Sequence, residues 1–157
     1  MGEVVTPSEF TAAAHQIRKQ GRKVVFTNGV FDILHYGHVA YLQQARALGD
    51  ALFVAVNTDA STRALKGDTR PLVAQDDRMN TLAALACVDY VTAFDEPTPI
   101  QIIEQTQPDI LAKGADYAEE DIVGGAFVKA RGGQVVPVPL LEGRSTTALI
   151  ERIRQSK

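Results

Sequence analysis

Five short apolar runs, each followed by a stretch with helical spacing, constrain this chain more than any other feature. The runs are KVVFTN (23–28), ALFVAVN (51–57), DYVTAF (89–94), DILAKG (109–114) and QVVPVPL (134–140). Short, largely continuous apolar strands separated by helices are the pattern of a parallel sheet covered on both faces. Helical patterns lie between them at 38–49, 58–67, 74–88, 98–107 and 118–133, with a first helix ahead of Gly21 and a last at 145–155. The first helix carries its own start signal: Thr6 caps, Pro7 suits the opening position and Glu9 completes a capping box. Gly124 and Gly125 weaken the middle of the 118–133 pattern, and Pro137 and Pro139 place the fifth strand at an edge. The expected architecture is a Rossmann-like, doubly wound α/β domain with five parallel strands in the order 3-2-1-4-5.

Composition narrows the class. The chain has 157 residues, 45% of them hydrophobic, and reads as a single domain over 1–157. No apolar stretch approaches the ~18 residues of a membrane span, and the start lacks a signal-peptide pattern. The one cysteine, Cys87, cannot form an internal disulfide, so a reduced, cytoplasmic setting is expected. A net charge of −3 argues against a nucleic-acid partner. Any anion bound here must be held by local groups.

The strand order locates those groups. Ligands of open α/β sheets sit beyond the carboxyl ends of strands, where the order reverses. That point falls between the first and fourth strands, at the segments Asn28 to His38 and Lys113 to Tyr117. His35 and His38 stand three apart at the mouth of a helix, which puts them on one side of its first turn. Helix-start amides and two imidazoles form a compact donor set for phosphate. Gly37 between them opens an approach to the backbone. A Gly-x-Gly-x-x-Gly loop, a Gly-Lys-Ser/Thr P-loop, a zinc-spaced Cys/His cluster and a Gly-x-Ser-x-Gly elbow are all missing. The alternative for the histidines is plain helix capping, and taken singly each would more often be structural. For Asp32, orienting the loop by accepting backbone hydrogen bonds ranks above direct chemistry.

GVFDILHYGH (29–38) is similar to the Gly-x-Phe-Asp-x-x-His-x-Gly-His signature of the cytidylyltransferase-like nucleotidyltransferases. GRSTT (143–147) resembles their second signature, a Ser-Thr-Thr at the start of the last helix. Within that family, VNTDASTRALKGDTRP (56–71), DDRMNTLAALACVDYV (76–91) and DILAKGADY (109–117) look like the heptose-1-phosphate adenylyltransferases. The resemblance implies transfer of AMP from ATP to D-glycero-β-D-manno-heptose 1-phosphate, with pyrophosphate released, for lipopolysaccharide core biosynthesis. It assigns His35, His38 and Lys66 to catalysis, although Lys66 also reads as a solvated loop lysine. It assigns Val30, Phe31, Gly37, Gly114, Ser145, Thr146 and Thr147 to the nucleotide, the hydroxyls serving equally as helix caps. Arg78, Lys113 and Asp116 are expected on the sugar-phosphate side. Arg78 is a cation in the first turn of a helix, against the dipole, so an anionic ligand or a carboxylate partner is needed to explain it. Mg²⁺ is expected to accompany ATP, with no protein ligand assigned to it. Relatives suggest a homo-oligomer, and any heptose kinase step is expected on another chain. Two alternatives remain: a cytidylyltransferase for glycerol 3-phosphate or a related polyol phosphate, and a nucleotide-binding regulatory module without turnover. The matching stretch of the glycerol-3-phosphate relatives carries an early arginine where Leu140 stands here, while Arg144 sits beside the hydroxyls.

Overall fold

A strand whose every residue is buried must lie inside a sheet with both faces covered, and Ala51–Asn57 is such a strand. In the computed structural model, which describes residues 1–156 (the backbone alone at 119), it lies near the centre of a six-stranded parallel sheet. The strands are β1 (Glu3–Val4), β2 (Val24–Gly29), β3 (Ala51–Asn57), β4 (Tyr90–Phe94), β5 (Ile110–Gly114) and β6 (Gln134–Val138). Their order is β1-β4-β3-β2-β5-β6. Strands β4 to β6 and β2, β3 reproduce the expected 3-2-1-4-5 arrangement, and β6 with Pro137 forms an edge. The sixth strand, β1, corrects the count of five. It is two residues long and neither is buried, so it carries no apolar run to be read; pairing with Tyr90 and Val91 makes it a strand.

The helices are α1 (Pro7–Lys19), α2 (Tyr36–Arg46), α3 (Asp59–Lys66), α4 (Gln75–Ala83), α5 (Ile100–Thr106), α6 (Gly125–Ala130) and α7 (Thr146–Gln155). The capping box of α1 is present: Glu9 N–H donates to Thr6 Oγ1 at 3.3 Å, and Thr6 N–H to Glu9 Oε2 at 2.9 Å. The helix expected at 118–133 is broken into a 3₁₀ turn at Glu119–Asp121 and α6. Gly124 is the cause. Its φ of +83° leaves the helical region, and a Cβ there would meet the Ile103 side chain at 2.8 Å.

Alternate strand residues feed two cores. Val25, Leu52, Val54, Val56 and Val91 pack against Tyr41, Leu42 and Ala45 of α2 and Met79 and Leu82 of α4. Val24, Phe26, Phe53, Ala55 and Leu111 pack against Phe10, Ala14 and Ile17 of α1, Ile102 and Ile103 of α5 and Val128 of α6. Each fully buried Phe, Leu, Ile or Val contributes about 1.5–3 kcal/mol of transfer free energy. The period of two along the strands thus holds a layer of helices on each face. It leaves the carboxyl ends of the strands open to loops. No helix among the described residues is long and apolar enough to cross a membrane.

Candidate active site

The ends of β2 and β5 meet in the middle of the sheet, where the strand order reverses. Just past their last paired residues the Lys113 ammonium donates to the Asn28 carbonyl at 3.2 Å. Burial pushes the Lys113 amine down to about 8, against the pull of Asp116. Its Nζ lies 5.5 Å from the centre of the Tyr117 ring. A cavity of about 670 Å³ opens at this junction. Both histidines line it.

His35 is the N-cap of α2, so the helix begins earlier than its apolar spacing indicates. His35 Nδ1 accepts the Gly37 N–H at 3.1 Å, and His38 Nδ1 accepts the His35 N–H at 3.4 Å. Two imidazoles therefore form the reciprocal capping box that a Ser or Thr and a Glu usually make. Capping and phosphate chemistry are compatible here. An Nδ1 that accepts a hydrogen bond leaves the ring proton on Nε2, and the bonding pattern assigns that tautomer to both rings. The ring centroids are 4.0 Å apart. Burial, then the neighbouring His35, drives His38 down to about 4 in spite of Asp32. Burial and the Arg144 cation also lower His35. Both rings are thus neutral Nε2–H donors at neutral pH. His35 Nε2 is buried without a partner among the described residues. Gly37 has a different reason from the one its sequence position suggests: a Cβ there would lie 2.8 Å from the His35 ring and 2.9 Å from Arg144 Cβ. It permits that packing more than it exposes backbone.

The loop ahead of the histidines is held in an unusual shape. Phe31 and Ile33 have φ of +53° and +50°, a region that costs roughly 1–3 kcal/mol for a residue with a side chain. Surrounding bonds keep it there. The buried Asp32 carboxylate accepts the Leu72 and Val73 N–H groups, each at 2.9 Å, and Arg70 Nε at 2.7 Å. Burial raises the Asp32 pKa, but those three donors outweigh it and hold the carboxyl below the usual aspartate value. The structural role ranked first for Asp32 is the one its bonds describe.

Arg78 has the carboxylate partner that was one of its two expected explanations, and departs from the sugar-phosphate side that the resemblance implied. It is 1% exposed and does not line the cavity. Its guanidinium donates to the carbonyls of Val73 (3.0 Å), Val30 (2.6 Å) and Asn57 (3.0 Å) and to the Asp59 carboxylate (2.7 Å). A carboxylate and three carbonyls, not a sugar phosphate, explain this cation in the first turn of α4. It locks the β2 and β3 loops together from beneath.

The remaining expected residues reach the cavity wall. Val30, Phe31, Gly37, Lys66, Lys113, Gly114, Asp116, Ser145, Thr146 and Thr147 all line it, with Lys66 exposed at the end of α3. Ser145 caps α7 by accepting the Ala148 N–H at 3.1 Å. Thr146 Oγ1 donates to the Asp32 carbonyl at 2.9 Å, so its hydroxyl proton is spent on joining the two signature segments. Sequence reasoning missed Arg70, Asn57, Phe94 and Pro97, which also line the cavity. Asn57 and Phe94 end β3 and β4, and the rule that ligands sit beyond strand ends was the signal for them. Arg70 had a weaker signal, its place in the LKGDTRP stretch.

The donor set does not make a cation site of its own. Among the described residues no group of three or more His, Cys, Asp or Glu could hold a metal ion. Asp32 is already engaged by three donors. A divalent ion here would depend on phosphate oxygens for its ligands.

The chain matches the family model described as cytidylyltransferase-like over residues 26–152. It is 56% identical over 146 residues to the bifunctional protein HldE of Citrifermentans bemidjiense, covering 91% of this chain and 30% of that protein. It is 53% identical over 153 residues to the bifunctional protein HldE of Cronobacter sakazakii, covering 98% and 32%. The chain thus spans about 30% of the length of the curated relatives it matches. The lipopolysaccharide core biosynthesis protein of Thermoplasma volcanium superposes with a TM-score of 0.64 at 30% identity, covering 79% of this chain and all of that one. Pantothenate synthetase of Thermus thermophilus superposes with a TM-score of 0.60 at 20% identity over 90% of this chain and 62% of its own, a likeness of fold alone.

Proposed function

Because this chain belongs to the cytidylyltransferase-like family, we propose that it transfers AMP from ATP to D-glycero-β-D-manno-heptose 1-phosphate, giving ADP-heptose and pyrophosphate. One observation carries the reading: the starts of α2 and α7, each bearing one signature, face a single cavity at the switch point and are joined by the Thr146–Asp32 bond. The high identity to the bifunctional HldE proteins and the likeness to a lipopolysaccharide core biosynthesis protein support the substrate and a place in lipopolysaccharide core assembly.

The chemistry asks little of a general base. An anionic phosphate oxygen of the sugar attacks the α-phosphorus, a new P–O bond forms, and the bridging P–O bond to the β-phosphate breaks. Its electron pair leaves with pyrophosphate. Catalysis is then alignment plus donors aimed at the growing charge. His35 and His38 supply two neutral Nε2–H donors whose orientation is set by their capping bonds. The α7 start and Ser145 and Thr147 bind the β- and γ-phosphates, and Thr146 contributes its backbone. Val30, Phe31 and Gly114 border the nucleotide, Lys113 and Asp116 the sugar phosphate, and Lys66 neutralises phosphate charge at the rim. A divalent ion, Mg²⁺ in this reading, would supply further charge neutralisation on the triphosphate when bound, held by the phosphate oxygens. The 157 residues work as one nucleotidyltransferase domain in the cytoplasm, and the phosphorylation that makes the sugar 1-phosphate is the task of a separate kinase domain.

The test is pyrophosphate release from the purified chain, with four nucleoside triphosphates paired against the heptose 1-phosphate and glycerol 3-phosphate. ATP with the heptose 1-phosphate should give the highest kcat/KM. A preference for CTP with glycerol 3-phosphate would replace this reading with the polyol-phosphate one. Nucleotide binding without turnover on any pair would leave a regulatory module.

A further inference from the structure

Four neighbouring strands end in side chains of one parity. The period of two that sends Phe26, Phe53, Ala55 and Leu111 into the core beneath α1, α5 and α6 sends Asn28, Asn57 and Lys113 to the same face, and Phe94 belongs to that core itself. In sheet order the row reads Phe94, Asn57, Asn28, Lys113, and all four line the cavity. Asn57 pairs across the strands with Phe94, and the Lys113 ammonium reaches the Asn28 carbonyl. The Asn57 amide is held in one orientation. Ser61 Oγ donates to the Glu96 carbonyl at 3.5 Å, so it accepts from Asn57 Nδ2 at 3.0 Å. That leaves Asn57 Oδ1 on the far side of the amide, where no donor among the described residues meets it. Asn28 Oδ1 is buried and also without a partner among the described residues. Exchanging oxygen and nitrogen in the Asn28 amide would only orphan a buried N–H in its place. Pro97, just beyond β4, extends the apolar wall that Phe94 begins. Two uncharged amides with acceptors to spare, beside an apolar wall, suit a polyhydroxylated ring.

We infer that Asn57 and Asn28 read ring hydroxyls of the acceptor sugar, with Ser61 as the positioning residue that aims the Asn57 oxygen. The inference rests on the proposed nucleotidyl transfer and deepens it, by naming what tells a sugar from a short polyol at this site. A carbonyl oxygen needs a donor. A hydroxyl brings a proton and an ionised phosphate brings none, so the amides face the ring and Lys113, at the end of the row, faces the charge. Position agrees with this chemistry. The histidines start α2, which packs on the opposite face of the sheet, and Arg144 against Gly37 sets the start of α7 beside them. The attacking and leaving oxygens stand roughly in line through the reacting phosphorus. With pyrophosphate leaving on the α2 and α7 side, the sugar comes from the side of this row. An acceptor that lacks the matching hydroxyl leaves a buried amide oxygen unpaired, and sites built in that way discriminate strongly.

The experiment is calorimetric titration of the purified chain and of its Asn57→Ala, Asn28→Ala and Ser61→Ala variants. Each is titrated first with an ATP analogue carrying a methylene between the α- and β-phosphates, which cannot release pyrophosphate. With that analogue bound, each is then titrated with D-glycero-β-D-manno-heptose 1-phosphate and, separately, with glycerol 3-phosphate. The wild type should bind the heptose 1-phosphate more tightly than glycerol 3-phosphate, which has no ring. Asn57→Ala and Asn28→Ala should each weaken the heptose 1-phosphate about tenfold, the equivalent of ~1.4 kcal/mol, and leave glycerol 3-phosphate and the nucleotide unchanged. Ser61→Ala removes no contact with the sugar and should cost about threefold, again for the heptose 1-phosphate alone. Asn28→Ala should not lower the melting temperature, since it deletes an acceptor that no donor among the described residues meets. Wild-type affinity for the heptose 1-phosphate in both Asn variants overturns the inference, as does a parallel loss for glycerol 3-phosphate or a wild type that does not prefer the ring. A loss for the nucleotide instead would give the row to the nucleoside and overturn it too. If the titrations come out as expected and yet no AMP is transferred from ATP, the row stands and the proposed reaction falls. If AMP is transferred while both Asn variants bind the sugar as the wild type does, the reaction stands and the row falls.

Discussion

The two signature segments meet in one cavity but are held there in opposite ways. In the first, from Asn28 to His38, Phe31 and Asp32 are buried, the Val30 carbonyl is tied by Arg78, and the Asp32 carboxylate takes three hydrogen bonds. In the second, α7 has no buried residue among the ten from Thr146 to Gln155, and its side-chain tie to the loop is the Thr146 hydroxyl on the Asp32 carbonyl. One half of the site is built into the core. The other rests against it. A rigid half suits groups that must be aimed within a fraction of an ångström, here the two Nε2–H donors. In the proposed reaction a lightly held half suits groups that take in a triphosphate and later let pyrophosphate go, since the elements that move are drawn from the low-stability parts of a fold.

The most severe way to break this contrast is to unmake the rigid half from below. Arg78→Met keeps volume and removes the guanidinium, leaving three carbonyls without their donor and Asp59 without its partner. Asp59 is a third exposed and turns to solvent, so the cost lies in the carbonyls, about 1–3 kcal/mol for each buried group left unsatisfied, a large share of the roughly 5–15 kcal/mol that holds a domain together. Thermal or urea denaturation should therefore register a large loss of stability. An unchanged melting temperature together with a raised KM for the sugar phosphate would return Arg78 to the ligand-binding role its sequence position suggests.

Next in size is the loss of the aimed donors. His35→Ala and His38→Ala should each lower kcat by about 10²–10³, the effect of removing one preorganised donor to transition-state charge. The double variant should lose less than the product of the two if both rings act on one phosphoryl centre. His35→Ala should also lose about 1 kcal/mol of stability, because the ring caps α2. His35→Asn restores a cap and separates the two effects: stability returns while most of the activity loss persists. The same burial gives a pH signature. An unfolded imidazole takes its proton near 6.5, whereas folded His38 waits until about 4. Between those values the unfolded state binds more protons, so stability falls as pH drops through that window. kcat should show no break near 6.5, since the rings donate as neutral groups. A break there would mean that the imidazolium is the active form.

Lys66→Ala probes the rim. Lys66 is exposed and touches neither core, so the melting temperature should hold while kcat/KM falls roughly tenfold or more, as when a charged hydrogen bond of ~1.5–3 kcal/mol is lost. Full activity would leave Lys66 as a solvated surface lysine.

What the sequence made legible follows the same division. The sheet was readable because β2 to β5 are apolar runs with buried residues and the prolines of β6 mark an edge, and the reversal between β2 and β5 then located the cavity. The histidines and the Ser-Thr-Thr stretch were readable as local motifs. Roles that depend on what a side chain meets across the fold were not. Arg78 looks like an anion binder until Asp59 and three carbonyls are found around it. Thr146 looks like a phosphate donor until its proton is found on the Asp32 carbonyl. The pair Glu3–Val4 has no pattern at all, and becomes a strand only because β4 offers an edge.

The finest test acts on the one tie between the halves. Thr146→Val keeps shape and removes the hydroxyl that donates to the Asp32 carbonyl at 2.9 Å. A single such bond contributes about 1 kcal/mol, or roughly fivefold in an equilibrium. Since no residue of α7 is fully buried, that energy should not appear in the global melting temperature. It should appear as faster amide hydrogen exchange in α7, with exchange in α2 unchanged, and as a several-fold rise in the KM for ATP. Thr146→Ser retains the hydroxyl and should behave as the wild type. ATP itself should restore α7 protection in Thr146→Val, because phosphate held between the two helix starts replaces the missing bond. If Thr146→Val instead lowers the melting temperature as Arg78→Met does, α7 belongs to the cooperative core. The contrast between a built half and a resting half would then be wrong.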